Sequence, residues 1–319
     1  MVGLLNSDYA EIFSYTDRND ITDVVALRKS VNELLVAATA GIPWPEGMEE
    51  STYSTNSLDG TPFKIHRFLP HSLQKGIEAG PQRAVVFAFG GGLIAGGVEV
   101  SRPVIAKLAD LSQSQVFAPQ YRLGPEHPTR GVEDVYSTIQ WLHVNAKRLN
   151  IDPERIVLYG QSAGGGIAAG AALMARDKEL SPPIAGQCLR YPMLDDRTTM
   201  DESDPRWKFL THSVASNDIG WKCYLGGKER LERIADDISC YAAPARATNL
   251  HGLPPAHIGV GSLDLFRDED LAYAAGLVMA DVGVDFILYP GVPHGFDLNP
   301  AIDLGNTMWD KEVRWITNF

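Results

Sequence analysis

The pentapeptide Gly160-Gln161-Ser162-Ala163-Gly164 carries more chemistry than any other stretch of the 319-residue sequence. A buried-type run, Arg155 to Tyr159, stands directly before it, and a small-residue helix is expected from about Gly165. Glycine and serine at about 7% each put a GxSxG pattern by chance in roughly one chain in ten of this size, so placement has to decide. A strand that turns sharply into a helix strains the corner residue, and glycines two positions to either side leave room for neighbouring chain. Ser162 then stands at the head of a helix, whose unsatisfied N–H groups favour negative charge nearby. The bland alternative is a turn that merely packs strand on helix; it uses the glycines but not the serine.

A serine hydroxyl is a poor nucleophile until a base takes its proton, and at such corners the acid and then the histidine follow later in the chain. Three histidines follow Ser162 outside 195–243: His251, His257 and His294. His257 falls inside the apolar run Ala256 to Val260, His251 precedes that run in a turn, and both come before the candidate acid. His294, in Gly291-Val292-Pro293-His294-Gly295-Phe296, follows the last apolar run, where loops at the carboxyl ends of parallel strands carry functional side chains. Asp264, in Gly261-Ser262-Leu263-Asp264-Leu265, is the expected orienting acid, because its loop and that of His294 end successive strands. Asp268 and Asp270 are its rivals, and either could instead cap the next helix.

Attack on a carbonyl also needs donors for the oxygen that becomes negative. Phe89-Gly90-Gly91-Gly92 leaves the early apolar run Ala84 to Phe89, and the N–H groups of Gly90, Gly91 and Ala163 are the expected oxyanion donors. A phosphate-binding role for the glycines is disfavoured: no Lys-Ser/Thr follows and the GxGxxG spacing is absent.

The elements that must position these residues read as an alternation. Apolar or β-branched runs at Ile65 to Leu69, Ala84 to Phe89, Gln115 to Ala118, Arg155 to Tyr159, Gly186 to Tyr191, Ala256 to Val260 and Val284 to Tyr289 are separated by helical stretches. Runs that do not alternate with polar residues suggest strands buried on both faces, and strand–helix alternation implies a mostly parallel sheet. Near the N-terminus, Asp20 is placed to cap a helix from about Ile21 to Ala38. Between Asp195 and Ala243 no strand signal appears, only polar residues among Trp207, Phe209, Trp221 and Tyr224. The expected division is therefore 1–48 as N-terminal cap helices, 49–194 and 244–319 as two parts of one α/β core, and 195–243 as a cap insertion. The cap aromatics suggest an apolar substrate, though such residues more often glue a lid to its core.

Composition excludes several other classes. Forty acidic residues against 28 basic ones give a net charge of −12, which repels phosphate backbones and anionic membranes, so no nucleic-acid partner is expected. Residues Met1 to Tyr15 lack the basic start and apolar run of a signal peptide, and no stretch reaches the roughly 20 apolar residues of a membrane span. Cys188, Cys223 and Cys240 are odd in number, widely spaced and without a CxxC pair, so neither a disulfide framework nor a metal site is expected. They read as buried, reduced thiols of a cytoplasmic protein.

Several of these segments together resemble the hormone-sensitive-lipase-like branch of the α/β hydrolases, over about Ala84 to Phe296. The resemblance rests on Phe89 to Gly92, Tyr121-Arg122-Leu123-Gly124-Pro125-Glu126-His127-Pro128 with Glu133-Asp134, Gly160 to Gly165, Tyr191 to Arg197, Leu263 to Glu269 and Pro293 to Phe296. It implies the α/β-hydrolase fold with a helical cap from the N-terminal helices and an insertion after the sixth strand. It also implies a carboxylesterase acting on short or medium acyl chains, with no cofactor. The Tyr121 to Pro128 segment is implied to be structural, with Arg122, Glu126 and Asp134 in a buried or half-buried salt-bridge network. One residue departs from the pattern: the branch usually has histidine where this chain has Phe89, and phenylalanine can pack but not brace the loop by a hydrogen bond.

The expected partner is a small ester or lactone, largely apolar, and a homodimer is among the assemblies this reading allows. The same triad also serves lactone opening, acyl transfer and lyase chemistry, because the acyl-enzyme is common and only the acceptor differs. A small-molecule-binding relative with weak activity is a further alternative, against which stands the presence of all three candidate triad residues.

Overall fold

The computed structural model describes residues 5–13, 23–74, 80–235 and 237–319. Eight strands form one sheet: β1 (Glu49–Asn56), β2 (Pro62–Leu69), β3 (Gln82–Ala88), β4 (Gln115–Pro119), β5 (Ile151–Gln161), β6 (Gly186–Arg190), β7 (Ala256–Gly261) and β8 (Val284–Tyr289). Their order is β1-β2-β4-β3-β5-β6-β7-β8. The first two join antiparallel, and everything from β4 to β8 is parallel. The helices are α1 (Ser7–Ile12), α2 (Val24–Thr39), α3 (His71–Gln74), α4 (Val98–Ser112), α5 (Arg130–Leu149), α6 (Ala163–Asp177), α7 (Val214–Tyr224), α8 (Arg230–Ala235), α9 (Arg267–Met279) and α10 (Asp303–Ile316).

The central strands β3 to β7 are buried along their whole length, apart from the first and last turns of β5. Their unbroken Val, Ile, Leu and Phe runs leave no polar face, so helix layers must cover both sides. α4 packs on α10 and α5 on α6, and one large cluster joins them to the sheet. β8 differs from the expectation of burial on both faces: as the last strand it is only half-covered. β1, with the polar sequence Glu-Glu-Ser-Thr-Tyr-Ser-Thr-Asn, is the opposite edge and pairs with β2 from Glu49 against Leu69 to Asn56 against Pro62.

The N-terminal helix departs from its expected start. Asp20 and residues 21 and 22 lie outside the described residues; α2 begins at Val24, and the Asp23 carboxylate accepts the Ala26 N–H at 2.8 Å. That supplies one of the donors a helix start leaves open. Between β6 and β7 the chain forms α7, α8 and short 3₁₀ turns, with no strand among the described residues.

Candidate active site

β3 and β5 lie side by side with Ala88 opposite Gly160, yet the chain leaves β3 for β4 on one side and returns past it to β5. Such a reversal opens a crevice at the carboxyl ends of the two strands. The glycine loop comes off β3 there, and Ser162 off β5.

Ser162 adopts φ 54°, ψ −123°, a conformation that costs a non-glycine residue on the order of 1–3 kcal/mol. Its surroundings hold it there. The N–H donates to the Arg190 carbonyl at 2.9 Å, and the carbonyl accepts from the N–H groups of Gly165 at 2.8 Å and Met193 at 3.0 Å. A Cβ on Gly160 would lie 2.3 Å from the Gly164 oxygen, and one on Gly164 would lie 2.2 Å from the Ala88 oxygen. Both glycines are therefore required by close backbone approach, as the pattern suggested.

The structure brings the three candidate side chains together. His294 Nε2 lies 2.9 Å from Ser162 Oγ, and His294 Nδ1 lies 2.8 Å from Asp264 Oδ2. A carboxylate oxygen accepts, so Nδ1 carries the proton and Nε2 is left to accept the serine O–H. Asp264 is fully buried, and its second oxygen accepts the Phe266 N–H at 2.9 Å. The imidazole is flanked edge-on by Phe266 and Tyr191, with centroids at 5.1 and 4.4 Å. Of the rival acids, Asp268 pairs with Arg206 and Arg267 at the surface, while Asp270 is buried and neither of its oxygens finds a partner among the described residues. Of the rival histidines, His257 sits inside β7 and His251 in the turn before it.

Gly90 lies against the serine: a Cβ on it would be 3.1 Å from the Gln161 oxygen and 3.4 Å from Ser162 Cβ. Gly91 has φ 137°, and a Cβ there would lie 2.2 Å from the Ala95 oxygen. No backbone hydrogen bond leaves the N–H of Gly90 or Gly91 among the described residues, and Ala163, first residue of α6, has no i−4 carbonyl within its helix. The loop is braced from below. Phe89 is fully buried and stacks on Tyr121 at 3.9 Å and 10°, and the Tyr121 hydroxyl donates to the Phe89 carbonyl at 2.5 Å. Burial pushes the Tyr121 phenol well above its ordinary pKa, which keeps it a donor.

The salt-bridge network divides differently from the expectation. Arg122 Nη2 meets Asp134 at 2.7 Å and its Nη1 meets Asp59 at 2.7 Å, but Glu126 belongs to another pair. Its carboxylate turns outward to Arg28 of α2 at 2.8 Å, which holds its pKa down at about 2. Arg28 also donates to the carbonyls of Gly124 and Ile94, tying α2 to the chain beside the glycine loop.

Above the serine is a cavity of about 830 Å³, whose floor includes Gly90, Gly91, Ser162 and His294 and whose roof includes Leu27, Val31 and Leu34 of α2. Trp207, Phe209, Trp221 and Tyr224 do not line it; Trp221 and Tyr224 are fully buried against each other. These aromatics are packing, and the same stretch presents Thr211, His212, Ser213 and Ser216 to the cavity instead. α7 rests on the glycine loop at Gly220, where a Cβ would lie 2.4 Å from the Gly92 oxygen.

A model of the α/β-hydrolase fold matches residues 85–298, and the chain belongs to that family. It is 34% identical over 257 residues to carboxylesterase NlhH of Mycobacterium tuberculosis, covering 78% of this chain and 75% of that protein. A bacterial heroin esterase superposes with a TM-score of 0.89 at 32% identity, covering 99% of this chain and 98% of its own. A hyperthermophilic esterase from the archaeon Pyrobaculum calidifontis gives a TM-score of 0.82 at 28% identity over 98% of each chain. Within the family the chain is a carboxylesterase-type hydrolase of the hormone-sensitive-lipase-like branch.

Two features escaped the sequence reading. Arg190, fully buried at the end of β6, binds Asp297 at 2.5 Å and Glu312 of α10, and Asp297 also accepts from the Tyr191 hydroxyl at 2.7 Å. Register also sets Cys188 of β6 against His257 of β7, and their side-chain ligand atoms and those of Glu312 lie within 4.8 Å of one another. That carboxylate is committed to Arg190 and to the Tyr159 hydroxyl at 2.9 Å, so the donor set is poor for a cation. All three cysteines are free thiols, Cys188 buried and the others half-buried rather than buried. Among the described residues no helix is long and apolar enough to cross a membrane.

Proposed function

We propose that the chain hydrolyses carboxylic esters of small, largely apolar substrates through an acyl-enzyme, with Ser162 as nucleophile, His294 as base and Asp264 as the acid that orients it. The observation that carries this reading is the continuous Oγ–Nε2 and Nδ1–Oδ2 contact, at 2.9 and 2.8 Å, on the floor of the cavity. His294 Nε2 takes the serine proton as Oγ bonds to the carbonyl carbon, and the carbonyl oxygen becomes an oxyanion within reach of the N–H groups of Gly90, Gly91 and Ala163. Collapse breaks the ester C–O bond, and the imidazolium returns the proton to the leaving alcohol oxygen. Water then repeats the sequence on the acyl-enzyme and frees the acid.

Residues 1–48 and 195–243 serve as the cap in this reading, since α2 and the chain at 211–216 line the cavity above the core. Three free thiols favour a reducing, cytoplasmic setting. A fluorophosphonate tests the nucleophile: one adduct is expected, mapped by mass spectrometry to Ser162, and an adduct on any other residue overturns the assignment.

A further inference from the structure

Beside the reaction cavity lies a second one, of about 490 Å³, and five residues line both: Ala38, Val104, Leu298, Asn299 and Pro300. One face of α4 runs through the two. Ser101 lines the first, Val104 both, and Lys107 and Leu111 the second, the i, i+3 and i+4 steps that share a helix stripe. Lys107 is about 9 Å along the helix from Ser101, at 1.5 Å per residue. α2 and the chain after His294 make the same passage, ending on Trp44 and Trp309. The second cavity thus adjoins the first across these five shared residues.

Among the described residues Lys107 is the one cation lining that second cavity. Its ammonium lies 4.5 Å from the centroid of the Trp309 ring and forms no ion pair among the described residues. Burial, and then the nearby Arg190 charge, pull its pKa below the ordinary lysine value, so the charge is held at a cost that an arriving anion removes. The carboxylates of Asp297 and Asp310 act against those two effects but do not cancel them, and neither is in an ion pair with Lys107 among the described residues. Both oxygens of Asp297 are taken, by Arg190 and by Tyr191. Asp110, one turn further along α4, also lines the cavity and forms no ion pair with Lys107 among the described residues.

We propose that the second cavity receives the far end of an ester substrate, and that Lys107 selects apolar substrates whose far end is a single carboxylate. The proposal rests on the esterase reading above. The apolar walls and the two tryptophans take the chain, and the ammonium donates charge-assisted hydrogen bonds to the carboxylate, the stronger kind in a partly dry site.

The test compares p-nitrophenyl half-esters of adipic, suberic and sebacic acids with the p-nitrophenyl esters of hexanoic, octanoic and decanoic acids. A second series places the carboxylate on the alcohol side, as ω-carboxyalkyl acetates against alkyl acetates. In one of the two series the wild-type kcat/KM should favour the carboxylate ester by roughly tenfold or more at matched length. Lys107→Met should bring that ratio to about one, and Lys107→Arg should keep it. A ratio at or below one in both series, or a preference that survives Lys107→Met, overturns the proposal. Failure of the esterase reading looks different: the neutral esters too would then go uncleaved.

Discussion

Among the described residues stand two histidine–aspartate pairs of the same length, 2.8 Å from Nδ1 to a carboxylate oxygen: His294 with Asp264 and His257 with Asp285. Their settings are opposite. In the first the acid is buried and the imidazole faces a serine hydroxyl and a cavity; in the second the imidazole is buried and the acid is half in solvent. His257 Nε2 has no hydrogen-bond partner among the described residues, whereas His294 Nε2 meets Ser162. The pair itself is therefore no mark of a site. What gives one of them chemistry is a third group with a proton to lose and a space for the atom it will attack.

The sharpest break in that comparison is a pair of variants. Ser162→Ala and His294→Ala should each lower kcat on a short-chain p-nitrophenyl ester by roughly 10⁴-fold or more, while His257→Ala leaves kcat within a few-fold. Steady-state kinetics on the three proteins decides, and an inactive but folded His257→Ala would mean that the second pair takes part in the reaction.

Next in size is the support under the glycine loop. Phe89→Ala removes a fully buried ring stacked on Tyr121, and should cost about 3–5 kcal/mol in denaturant unfolding. It should also lose activity, because a loop displaced by about 1 Å can cost on the order of a hundredfold. Phe89→His should stay active, since the proposed donors are backbone groups. If Phe89→Ala is as active as wild type, the loop does not depend on this packing.

The second histidine should register in stability instead of rate. His257→Ala leaves a cavity in β7 and an unpaired Asp285 at the surface, and a loss of roughly 1–3 kcal/mol is expected; Asp285→Asn, half-exposed, should cost about 1 kcal/mol or less. A reversal of that order would show that the exposed acid, not the buried ring, holds the pair.

A different kind of effect, on the pH dependence of stability, concerns Asp270, one of the rival acids. Burial first, and the neighbouring charges of Glu269 and Asp264 after it, push its carboxyl pKa well above the ordinary value. The folded protein then keeps a proton that the unfolded chain gives up near pH 3.9. This contribution is complete below that pH and drains as pH rises towards the folded value, at up to about 1.4 kcal/mol per pH unit. Asp270→Asn should flatten that part of the stability profile between pH 4 and 7, measured by urea unfolding; an unchanged slope would place the titration elsewhere.

The meeting of Ser162, Asp264 and His294 was legible in the sequence because each stands in a loop directly after one of the successive strands β5, β7 and β8, and parallel strands end at one edge of their sheet. β1 was not legible: an edge strand of glutamate, serine and threonine carries no burial pattern for a reader to find. The Arg28–Glu126 pair joins residues 98 apart, and the cap aromatics were ambiguous because a buried tryptophan and one that lines a cavity look the same in sequence. Asp23 displaced Asp20 as helix cap for a local reason, since both types can cap and only the backbone settles which does.

Arg190 gives the site one further property. Its carbonyl receives the Ser162 N–H, while its side chain grips Asp297, three residues beyond His294. The loops of Ser162 and His294 are therefore both held by one residue at the end of β6. A slip of β6 by one position would turn that side chain to the other face of the sheet and release both loops together. Strand register and the geometry of the Ser162–His294 pair are therefore one property of the chain rather than two.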